Sequence, residues 1–93
     1  MADAEFIISS CDPQNFSGVD ADKWTCIKSK IQDRYGVIIN KDKGTASKSG
    51  FTFVWDHNPG AQTLVVQCTE KPFFVPCSTV NSRIQDIGRE CGV

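Results

Sequence analysis

Ninety-three residues, 40% of them hydrophobic, suffice for one globular domain spanning residues 1–93 and are too apolar for a disordered chain. Ten Lys and Arg against eleven Asp and Glu leave a net charge of −1, without the basic excess of a nucleic-acid or anionic-membrane surface. No apolar run is long enough to cross a bilayer.

Met1-Ala2-Asp3-Ala4-Glu5 is acidic and lacks the basic-then-apolar pattern of a secretory signal, so a cytoplasmic location is expected. Residues 5–10 carry Phe6-Ile7-Ile8, which predicts a first strand ended by the turn at Cys11-Asp12-Pro13. Residues 14–18 read as loop. Asp20 then suits a helix N-cap, and Trp24, Ile27, Ile31 and Tyr35 recur on one stripe until Gly36 stops the helix. Cys26 falls off that stripe and is expected to be the most exposed apolar residue of the helix. Val37-Ile38-Ile39 is β-branched and predicts a second strand.

Residues 40–44 read as a turn, and residues 45–50 are small and polar. Lys41, Lys43 and Lys48 in this stretch match no phosphate-loop pattern, and a solvated loop explains them. Phe51, Phe53 and Trp55 alternate with Thr52, Val54 and Asp56, which predicts a strand with one apolar face. His57-Asn58-Pro59-Gly60 supplies a reverse turn into a partner strand over residues 61–69, with Leu64, Val66 and Cys68 on its inner face. Pro72 and Pro76 bracket Phe73-Phe74-Val75, so that segment is expected as an extended connector or a short edge strand. Cys77, Val80, Ile84, Ile87 and Cys91 repeat at helical spacing, with Ser78 as cap and Gly92 as stop.

The order is β-α-β-β-β-α, an α+β fold in which two helices lie on one face of an antiparallel sheet. Thr52, Val54, Thr63, Val65, Gln67 and Thr69 fall on the other face, open to solvent or a partner. From Asp20 to Cys91 this order resembles the double-stranded-RNA-binding domain. That resemblance implies an RNA grip that includes lysines at the start of the second helix. Here the matching stretch is Cys77-Ser78-Thr79-Val80-Asn81-Ser82, which has no Lys, so nucleic acid is not the expected partner.

Cys11, Cys26, Cys68, Cys77 and Cys91 are odd in number and form no C-x-x-C pair, so free, mostly buried thiols are expected. Their spacing does not begin a zinc site. Cys77 at a helix N-terminus is the candidate reactive thiol, with His57, the single histidine, as a conceivable base. Its competing reading is a place on the buried helical stripe.

No catalytic or cofactor signature emerges, and no cofactor or metal is expected. Adjacent aromatics in an extended segment point to opposite sides, which leaves Phe73 or Phe74 to solvent or a partner. The leading expectation is a non-enzymatic module that binds another protein or itself through Phe73, Phe74 and Val75 and through Thr52 and Val54 on the open face. The alternative is a small-ligand or thiol-dependent function at Cys77.

Overall fold

A computed structural model describes residues 10–93; the strand expected at residues 5–10 therefore lies almost wholly outside the described residues. The elements are β1 (Gln14–Phe16), α1 (Ala21–Tyr35), β2 (Lys43–Lys48), β3 (Phe51–Asn58), β4 (Thr63–Glu70) and α2 (Cys77–Glu90). They make a four-stranded antiparallel sheet in the order β1-β4-β3-β2. The β-α-β-β-β-α order is the expected one, though two strands sit elsewhere in the chain.

α1 forms where its apolar stripe predicts, with Trp24, Ile27 and Ile31 buried. The Asp20 carboxylate accepts from the Lys23 amide at 2.9 Å, and Gly36 turns the chain out at φ 69°. The β-branched run that follows does not pair. Val37 and Ile39 are buried and Ile38 is exposed, so the segment inserts alternate side chains into the core without joining the sheet. The second strand is instead the polar stretch Lys43–Lys48. It is held by a two-residue hairpin turn in which Ser49 and Gly50 both have positive φ, the type whose twist matches paired strands.

β3 and β4 alternate as expected. Phe53, Trp55, Leu64, Val66 and Cys68 form the inner face beneath Trp24, Ile27, Ile31, Val80, Ile84 and Ile87. A bulge shifts the register between Thr52 and Phe53. β1, in a stretch that reads as loop, pairs only three residues with β4. Its Phe16 lies under Gly88, where an added Cβ would stand 2.6 Å from the Phe16 ring, so glycine lets α2 come close to the sheet.

α2 starts two residues earlier than Ser78 as cap would give. Pro76 occupies the cap position without a side-chain hydrogen bond. The far end closes as expected: Gly92, at φ 85°, donates to Arg89, and Val93 donates to the Gly88 carbonyl at 2.8 Å. The Glu90 carboxylate joins the helices, accepting from Arg34 and from Lys30 at 3.3 Å. The Arg34 hydrogen bond holds this carboxyl below its ordinary range.

Candidate functional site

The cysteines correct the expectation of free thiols. Cys11 is bonded to Cys77 and Cys26 to Cys91, which leaves only Cys68 as a thiol. α2 is therefore tied at both ends. Its first residue is linked to the segment preceding β1, and the residue after its last turn is linked to α1. The off-stripe position of Cys26 follows from this, because the disulfide meets α2 beside the main core seam. Cys77 is thereby excluded as a reactive thiol. Cys68 is fully buried opposite Phe53, and burial pushes its thiol above the usual range, against the lowering effect of the Glu70 backbone.

Phe73 and Phe74 are not on an edge strand; among the described residues the sheet edges are β1 and β2. They are the two central residues of a turn that the Val75 amide closes onto the Pro72 carbonyl at 3.0 Å. Two aromatics at the apex of a tight turn cannot both fold inward, and Phe73 is 94% and Phe74 73% exposed. Their rings meet edge to face with centroids 5.6 Å apart, the arrangement that aromatic quadrupoles favour.

Both ends of this knuckle are anchored. Pro72 packs beside Gly50 of the β2–β3 turn, Val75 is half-buried against the core, and two residues on Cys77 is fixed to Cys11. Thr52 stands at the base, since it pairs across the ladder with Glu70. Thr52 is only 9% exposed, and its hydroxyl is engaged with Ser47 at 2.7 Å and with the Glu70 carboxylate at 2.9 Å. It supports the knuckle more than it offers a free contact. Val54, two residues further along β3, is half-buried on the outer face.

A second polar cluster has no counterpart in the sequence reading. His57 continues the inward alternation of Phe53 and Trp55, so it is buried at the end of β3 and takes no part in the turn. Its ring stacks on Trp24 at 4.8 Å. Its Nε2 lies 2.9 Å from the Val19 carbonyl, which only accepts, so the proton sits on Nε2. Nδ1 has no hydrogen-bond partner among the described residues and lies 3.5 Å from an Asp42 oxygen that already accepts from Trp24 Nε1 at 2.9 Å. Together with Asp20, Lys28 and Gln62 these residues line a pocket of about 430 Å³. His57 is thus a strut between β3 and the entry to α1.

No set of three His, Cys, Asp or Glu side chains among the described residues is placed to hold a metal. No helix among them is long and apolar enough to cross a membrane. The α-β-β-β-α order runs from α1 to α2 as expected, and the exposed residues of α2's first turn are Ser78 and Thr79, with Arg83 a turn later. No protein-family model, no curated protein and no solved structure matches the chain.

Proposed function

We propose that this chain is a non-enzymatic protein-binding module, working in an oxidising compartment, whose contact is centred on the Phe73–Phe74 knuckle. The observation that carries this reading is the exposure of two adjacent aromatics on a turn clamped by Pro72, Val75 and the Cys11–Cys77 bond. Exposed aromatics on a fixed support suit binding, because little conformational freedom remains to be lost when a partner covers them. The two disulfides support this choice of compartment, since such bonds persist where thiols are not kept reduced. Cys77, on which the thiol-dependent alternative rests, is bonded to Cys11, and this favours the protein-binding reading.

Each phenylalanine, if fully covered, contributes about 1.5–3 kcal/mol, or roughly tenfold or more in affinity. Phe73→Ser and Phe74→Ser should keep the wild-type melting temperature, since neither ring is part of the core. In affinity capture from the medium or envelope fraction of the source cells, partners held by the wild type should be lost with the double variant. Sedimentation velocity covers the case in which the partner is a second copy. If the double variant captures the same partners, or if it melts well below the wild type, the knuckle is not a contact.

A further inference from the structure

β2 is an edge strand of unusual composition, Lys-Gly-Thr-Ala-Ser-Lys. Its hydrogen-bond phase can be read from one contact: the His57 amide donates to the Asp42 carbonyl at 2.7 Å, one step before the Lys43–Asp56 pair. Antiparallel ladders alternate, so Gly44, Ala46 and Lys48 direct their backbone groups toward β3. Lys43, Thr45 and Ser47 direct theirs outward, and no backbone hydrogen bond among the described residues engages them.

Beside this edge runs a groove of about 290 Å³, lined by Ile38, Asn40, Lys41, Gly44 and Trp55. Ile38 is 63% exposed on its wall. A Cβ at Gly44 would stand 3.0 Å from Cζ2 of the Trp55 indole, so glycine lets the strand lie directly against that ring, which is 4% exposed. Lys41, Lys43 and Lys48 are all exposed along the strand. The nearby carboxylates of Asp42 and Asp56 offset the three lysines only in part, and Asp56 lies 3.8 Å from Lys43 Nζ with both groups well solvated.

We propose that β2 is a docking edge for an extended acidic peptide segment of a partner protein, which adds to the sheet as a fifth strand. The outward amides and carbonyls of Lys43, Thr45 and Ser47 supply the pairing. An apolar side chain placed beside Gly44 falls on the face that carries Ile38 and Trp55, and acidic side chains on the opposite face meet Lys43, with Lys41 at the strand's entry. The same lysines oppose a second copy, because edge lysines repel a like-charged strand. This inference rests on the protein-binding reading but not on the knuckle.

The experiment uses the full chain with its disulfides intact, labelled with ¹⁵N. The probe is a capped hexapeptide alternating Glu and Val. Saturable shifts should centre on residues 43–47, with slowed amide exchange at Lys43, Thr45 and Ser47. An equivalent Lys-Val peptide, repelled by the edge lysines, and the Glu-Val peptide N-methylated at alternate residues, which loses one or two backbone hydrogen bonds, should each bind at least about tenfold more weakly. Thr45→Pro removes an outward donor while leaving the β2–β3 ladder its bonds, and should have the same effect. Phe73→Ser should leave peptide binding unchanged, so partner capture lost in that variant alone tests the knuckle separately. Equal binding of the Lys-Val or N-methylated peptide would overturn the proposal. So would slow exchange at the three outward amides before peptide is added, which would mean that the edge is already covered.

Discussion

Replacing Cys26 and Cys91 together by serine should lower the unfolding free energy by about 4 kcal/mol, from the chain entropy released when so long a loop is opened. The bonded cysteines are 65 residues apart, and those of the Cys11–Cys77 bond 66. The effect is large because a domain of this size has a total of only about 5–15 kcal/mol. α2 loses its tie to α1, and the remaining joint is the core seam plus the Glu90 ion pairs, which solvent screens. Urea denaturation of the variant, with the Cys11–Cys77 bond intact, should show a midpoint far below wild type and a somewhat steeper slope, because the unfolded chain is less constrained. An unchanged midpoint would mean that the bond adds nothing to the packing of the helices.

Trp55→Ala should cost about 3–5 kcal/mol, the range for truncating a large buried aromatic. Trp55 is 4% exposed, and its Nε1 donates to the Lys41 carbonyl at 2.8 Å. The substitution therefore removes both core volume and the bond that holds the approach to β2. Its cost should exceed that of Phe51→Ala, because Phe51 is only half-buried. Thermal melting of the two variants side by side measures this order. Equal losses would mean that Trp55 is not the main contact between β3 and the helices.

The parts of the fold legible in the sequence are those where one residue type serves one physical need. The Trp24, Ile27 and Ile31 stripe, the Asp20 cap and the Gly36 stop specify α1 without outside help. The alternation through Phe53 and Trp55 specifies β3, and Gly92 ends α2 through its positive φ. Where pairing decides the structure, local pattern misleads. Val37-Ile38-Ile39 has strand chemistry but finds no partner, whereas Lys43–Lys48 has little strand propensity and is recruited by the Ser49-Gly50 turn and by β3.

Much of the candidate site was partly visible. The prolines correctly exclude Phe73 and Phe74 from a helix, but the contact between Val75 and Pro72 makes a turn where an extended connector or a short edge strand was expected. His57 was findable by carrying the β3 alternation one step further inward. The disulfides were hidden by an odd cysteine count and by sequence separations too long for any motif. One signal did exist. Cys26, a small apolar residue off its helix stripe, is poorly explained by packing and well explained by a covalent tie to Cys91.

The central claim is a scaffold stapled by two particular bonds that hold α2 and fix the knuckle in place. Its most direct test is non-reducing peptide mapping, by mass spectrometry, of protein alkylated first in native buffer and again in denaturant. Two bonds at two hydrogens each make the native chain four hydrogens lighter than the fully reduced one, with Cys11 linked to Cys77 and Cys26 to Cys91. Cys68 should take up label only in denaturant, because the folded protein buries it completely and raises its thiol pKa. Five labelled thiols, or a bond that includes Cys68, would contradict the claim.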